Sequence, residues 1–154
     1  IENRDHLTDT IVKFIQNIVE TNKKQKRVTM IFCTNPLVIK NVKRRINNNS
    51  LLSVITHSDT LQKRSKMITS HHESFVSPIV IINTCIAMYG IDLSFASSIL
   101  FADICNGDSI CIKQCVYRVK RPGFRYASLP ITCLVRHHSG DRVIMYNNII
   151  DPHS

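Results

Sequence analysis

Ser77-Pro78-Ile79-Val80-Ile81-Ile82-Asn83-Thr84 decides how this chain folds. Ile79 to Ile82 is a continuous run of β-branched apolar residues, with a proline before it and polar residues after it. Such a run reads as a short strand, Ile79 to Asn83. It lacks the apolar-polar alternation of a strand with one wet face. Both of its faces must therefore meet apolar neighbours, as in the middle of a parallel sheet covered by helices.

The residues on either side repeat the same unit. Upstream, Leu51 to Thr56 is a second short strand, and Ser58-Asp59-Thr60 caps a helix that runs to about Ser70, leaving His71-His72 exposed at its end. Further upstream, Arg27 to Cys33 is a buried strand. Thr34-Asn35-Pro36 follows it as a cap with proline at the first helical position, and a helix continues to Ile46. Asn47 to Ser50 breaks that helix. The chain opens on a helix, His6 to Glu20, with Leu7, Ile11, Phe14, Ile15 and Ile18 on one stripe; Asn22 and a solvated loop of lysines end it. Downstream, Ile86 to Leu93 reads as a loop turning at Gly90, and Ser98 to Ala102 as a strand ended by Asp103. Gln114 to Arg121 is a helix, Ile131 to Val135 a strand, and Asp141 to Tyr146 a final helix.

Strands and helices in alternation predict a three-layer α/β domain with a mostly parallel sheet. Ligands of such sheets collect at the carboxyl ends of the strands. Thr34, His57, Thr84 and Asp103 each follow a strand, so they are expected along that one edge.

A chain of 154 residues is about one domain. It carries a net charge of +9, which suits a polyanionic partner. It has no run of about 18 apolar residues, so no membrane span is expected. It starts at Ile1 with neither a start methionine nor a signal peptide, which reads as a fragment of a longer chain. Its six cysteines include no CxxC pair and are expected to be reduced thiols, in the cytoplasm, the nucleus or a virion. Cys111, Cys115 and His137-His138 match no standard zinc module, and no metal site is expected.

One basic cluster looks like a site: Gln114-Cys115-Val116-Tyr117-Arg118-Val119-Lys120-Arg121-Pro122-Gly123. A helix would put Gln114, Arg118 and Arg121 on one face, an amide beside two permanent cations whose planar forks match phosphate oxygens. Basic residues at helical spacing are most often a plain solvated face. Taken alone, this cluster does not choose between the two.

The order of the segments adds to it. Val28 to Thr34, Thr56-His57-Ser58-Asp59 with Gln62-Lys63-Arg64, Thr84 to Leu93, and Gln114-x-x-x-Arg118-x-x-Arg121-x-Gly123 together resemble motifs IV to VI of superfamily 2 helicases and translocases. The resemblance covers about Asp5 to Ile144 and points to the second RecA-like lobe. The last motif, followed by Pro130 to Arg136, looks Snf2-like. Tyr117 and Phe124 depart from the Snf2 pattern, and Ile91-Asp92 is closer to the DEAD and DEAH branches. Many Ile and Asn residues and few Gly add a likeness to Snf2-like ATPases of large DNA viruses, including poxviral transcription factors.

This resemblance implies half of an ATP site. Arg118 and Arg121 would be arginine fingers, and Gln114 would bond the γ-phosphate or the attacking water. Gly90 and Asp92 would sit near the ribose. Thr34, Thr84 and Arg64 would meet the backbone of nucleic acid, DNA rather than RNA. The chain has no G-x-x-x-x-G-K-[ST] sequence, so ATP and Mg2+ would be held mainly by an N-terminal RecA-like lobe of the same protein, and this piece alone is expected to be inactive. The competing expectation is a non-catalytic basic α/β module that binds nucleic acid or a protein partner.

Overall fold

A computed structural model describes residues 2–103, 109–136 and 143–147. The elements run α1 (Glu2–Gln25), β1 (Thr29–Cys33), α2 (Pro36–Ile46), β2 (Leu52–Ile55), α3 (Leu61–Glu73), β3 (Ile79–Asn83), α4 (Thr84–Ala87), β4 (Ser98–Phe101), α5 (Ser109–Val119), β5 (Ile131–Arg136) and β6 (Val143–Asn147). The sheet order is β2-β3-β1-β4-β5-β6. β1 to β5 are all parallel, and β6 pairs antiparallel with β5. The three-layer α/β reading holds.

The apolar run Ile79 to Ile82 is β3, buried along its whole length between β1 and β2. Side chains alternate across the pleat. Ile31, Ile81 and Leu100 face α1 and α2, where Ile11, Ile15, Val38 and Val42 meet them. Phe32, Ile82 and Phe101 face the other way, onto Ile86, Cys115 and Val119. Phe32 and Phe101 stack with centroids 5.3 Å apart. Each such buried side chain contributes about 1.5–3 kcal/mol.

The distribution of helices follows from the strand order. β1 to β2 steps one way across the sheet, and every later parallel connection steps the other way. Right-handed crossovers then put α2 on one face and α3 to α5 on the opposite one. α1 joins α2, where Arg45 pairs with Asp9.

Four local expectations need correction. α1 continues to Gln25, so the first lysines of the expected loop belong to a helix. Asn22 does not stop it: its side-chain amide donates to Thr29 Oγ1 at 2.9 Å and to Pro78 O at 3.3 Å, pinning α1 to the sheet. His71 is buried, at 5% exposure, and stacks on Phe95 at 4.9 Å; only His72 is exposed at the end of α3. The tail is not a helix, because Val143–Asn147 pairs with β5 as the edge strand β6. Two smaller differences bear on the site. The loop after β3 begins with one helical turn, α4, and α5 ends at Val119, two residues before Arg121.

Candidate functional site

The carboxyl edge of the sheet gathers the loops after β1, β3 and β4. Asp103, just past β4, accepts hydrogen bonds from the amides of Thr34 (2.6 Å) and Asn35 (2.8 Å) beyond β1. Asn83, at the end of β3, donates to Thr34 O at 3.4 Å. Asn35 is the N-cap of α2: its Oδ1 accepts from Leu37 N and Val38 N, and Pro36 takes the position where an amide would be orphaned. Burial, then the Asp103 carboxylate 3.5 Å from its sulfur, pushes the Cys33 thiol far up, so it stays protonated.

α4 and the turn after it form the centre of the edge. Asn83 caps this single turn through Cys85 N. Thr84 is buried and its Oγ1 has no hydrogen-bond partner. Gly90 is exposed with φ +81; a Cβ there would meet nothing, so the left-handed backbone is what calls for glycine. Asp92 is partly desolvated, which raises its pKa. Hydrogen bonds from Ser94, with the charges of His72 and Arg121, outweigh that and hold its carboxyl below the usual range. Ser94 N lies 2.9 Å from Asp92 Oδ1, and His72 Nε2 lies 3.8 Å from the same oxygen.

α5 packs against this turn. Arg118 donates from Nε to Ala87 O at 3.1 Å and from Nη2 to Met88 O at 3.4 Å, while its own carbonyl accepts from Leu93 N at 2.9 Å. Only part of its fork is spent on the backbone, and Arg118 has no carboxylate partner among the described residues. Arg121 follows in the turn beyond α5, half-buried, close enough to Asp92 to bias its ionisation. The three candidates of the last motif are therefore not on one helix. Gln114 and Arg118 are on α5, Gln114 exposed, and Arg121 is on the turn that Gly123 closes at φ +106.

Thr34, Arg64 and Thr84 are placed differently from one another. Thr34 is exposed, with its amide taken by Asp103. Thr84 has its hydroxyl sealed inside. Arg64 is on α3, lining a cavity together with His57, two residues beyond β2. The sequence reading missed Asp103 as the organiser of the α2 entrance; its position after a strand and its acid group were the available signal.

A fixed, unneutralised arginine beside a glycine turn suits a phosphate group. No cluster of three or more acidic, histidine or cysteine ligands occurs among the described residues. His137-His138 and Cys105 lie outside the described residues. Cys33, Cys85, Cys111, Cys115 and Cys133 are unbridged.

No protein-family model and no curated protein matches the sequence. Solved structures do match in shape. The C-terminal part of the Fun30 ATPase domain superposes with a TM-score of 0.69 at 19% identity, over 83% of this chain and 40% of that one. The C-terminal domain of the DEAD-box protein Dbp5 gives 0.63 at 17% identity, over 84% of this chain and 70% of that one.

The fold is that of a RecA-like helicase lobe.

Domain 2 of the DEAD-box helicase Mss116p, solved bound to an RNA duplex, gives 0.57 at 14% identity, over 83% of this chain and 51% of that one. This chain thus spans less than half of the Fun30 chain and about half of the Mss116p chain. No helix among the described residues is long and apolar enough to cross a membrane.

Proposed function

We propose that this chain is the second RecA-like lobe of a nucleic-acid-dependent ATPase of the helicase and translocase type, within a longer protein. The observation that carries the reading is Arg118, a cation anchored to the carbonyls of Ala87 and Met88 with part of its fork uncommitted. Arg118 and Arg121 act as arginine fingers toward the γ-phosphate of an ATP held mainly, with its Mg2+, by a first lobe. Their fixed charges offset the charge that develops on the transferred group, and no rearrangement is needed at that moment. Gln114 reaches the same phosphate or its attacking water from the exposed side of α5. Gly90 and Asp92 border the ribose.

The grip on nucleic acid comes from the carboxyl edge: Arg64, the Thr34 side chain, and the turn that Thr84 begins. The net charge of +9 favours it. DNA and an Snf2-like cycle are the finer reading. They rest on the Gln114-x-x-x-Arg118-x-x-Arg121-x-Gly123 spacing followed by β5, with the Fun30 ATPase among the similar folds.

The test is nucleic-acid-stimulated ATP hydrolysis by the full-length protein, wild type beside Arg118→Ala and Arg121→Ala. Each variant is expected to lose about 10³–10⁵ in rate while still binding nucleotide. Unchanged hydrolysis in both variants, or none in the wild type, would leave a non-catalytic basic module that binds nucleic acid or a protein partner.

A further inference from the structure

A cavity of about 550 Å³ opens between α3 and the segment that begins with α4. This volume lies within the range of sites that take a small organic group. Its inner wall is apolar: Ile86 is fully buried, and Ile68 and Ile91 are half-buried. At its mouth stands Tyr89, 79% exposed. Leu61, 72% exposed, lines the same cavity, so Tyr89 belongs to an exposed apolar rim above an apolar wall and is not an isolated surface ring. The cation of the wall is Arg64, whose Nε is buried with no acceptor. That N–H is sealed from any ligand as well as from water, but the side chain as a whole is only half-buried and lines the cavity, so the rest of its fork is left for an anionic group. Asp and Glu are absent from the lining.

These features describe the occupant. It has a flat π-face for Tyr89 and the isoleucines, and an anionic oxygen for Arg64. It also has polar edges for the hydroxyls of Ser65 and Thr69, which line the same space. An acidic peptide would match the cation but not the exposed ring above an apolar wall. A nucleotide unit matches all three.

We propose that this cavity receives one unstacked base of a single-stranded nucleic acid, stacked on Tyr89, with its neighbouring phosphate on Arg64. The inference rests on the nucleic-acid reading above and goes past it: the lobe holds a base as well as a backbone. Stacking on an aromatic is tolerant of sequence, because every base offers a π-face. The pocket thus reads the single-stranded state and not the sequence, since a paired base cannot leave its stack without cost.

The experiment is fluorescence anisotropy with a labelled oligothymidylate, beside a strand of equal length made of abasic units, which keeps the phosphates and lacks the bases. The wild-type chain is expected to prefer the base-bearing strand by about 5- to 100-fold. Tyr89→Ala should bind both strands alike, and Tyr89→Phe should keep the preference. Arg64→Gln should weaken both strands. Tyr89 is exposed, so Tyr89→Ala should melt with the wild type, which removes misfolding as an explanation. A preference that survives Tyr89→Ala, or a wild type that binds both strands equally, overturns the base pocket and leaves backbone binding intact. A wild type that binds neither strand overturns the nucleic-acid reading itself. Competition by free thymidine monophosphate as effective as by the strand would assign the cavity to a free nucleotide and also overturn the proposal.

Discussion

Arg118 and Ala87 are joined across two elements: the guanidinium Nε of α5 donates to the last carbonyl of α4 at 3.1 Å. Met88 O takes a second donor of the same side chain at 3.4 Å. A helix of one turn cannot satisfy its own terminal carbonyls. Here an arginine does so, and its orientation is fixed by the same bonds.

Arg118→Ala should therefore cost folding stability as well as hydrolysis. Hydrogen bonds from a charged donor are worth about 1.5–3 kcal/mol, and Arg118 is half-buried, so about 1–2 kcal/mol is expected in urea unfolding. Arg121 has no such backbone anchor, and Arg121→Ala should stay within about 0.5 kcal/mol of wild type. Equal losses in the two variants would contradict the anchoring role.

Asp103→Ala should be among the more damaging single changes at the carboxyl edge. It removes the acceptor of two amides and the link between the loops after β1 and β4. A loss of about 2–3 kcal/mol is expected from denaturant midpoints. Asp103→Asn, which keeps one acceptor oxygen, should lose less.

Stability should fall on mild acidification. Burial, then the neighbouring His72, lowers the pKa of His71 from 6.5 to about 4. Between those values the unfolded chain binds a proton that the folded chain refuses, so stability is full above pH 6.5 and drains as pH falls toward 4. The loss is about 2–3 kcal/mol. Urea midpoints from pH 7.5 to 4 would measure it, and His71→Leu should flatten the slope across that window.

Gly123→Ala should destabilise by about 1–3 kcal/mol, because φ +106 is strained for any residue with a Cβ. The added methyl would also lie 3.3 Å from the Oγ of Ser94, the residue whose hydrogen bonds hold Asp92 in place. Calorimetric melting checks the stability. Gly90→Ala is the comparison, with a positive φ but open space.

The strands were legible because burial on both faces leaves a mark that local sequence carries. Ile79 to Asn83 coincides with β3, and the other parallel strands differ from their expected bounds by one or two residues at an end. Caps were legible for the same reason: Asn35 and Thr60 bond the amides two or three residues ahead. What failed depends on distant partners. Asn22 looks like a helix stop until Thr29 and Pro78 are there to accept its amide. His71 reads as a surface residue unless Phe95 and Ser53 are brought against it. Val143 to Asn147 becomes a strand because β5 offers a free edge. The helical face expected for Gln114, Arg118 and Arg121 assumed one helix, whereas the turn at Gly123 takes Arg121 out of it. The cavity beside Tyr89 left no trace in the sequence, since it is formed where two separate segments, His57 to Thr69 and Ile86 to Ile91, come together.

The entrance to α2 is already occupied by its own chain. Helix starts attract phosphates because their amides are unpaired. Here Pro36 has no amide, Asn35 takes those of Leu37, Val38 and Ile39, and Asp103 takes those of Asn35 and Thr34. Asp103 behaves as a tethered competitor, present at high effective concentration and negative like any phosphate that would replace it. A polyanion arriving at this edge finds no free amide at the start of α2, so a contact there is left to the exposed Thr34 side chain, and the charge of the phosphates is met by the arginines.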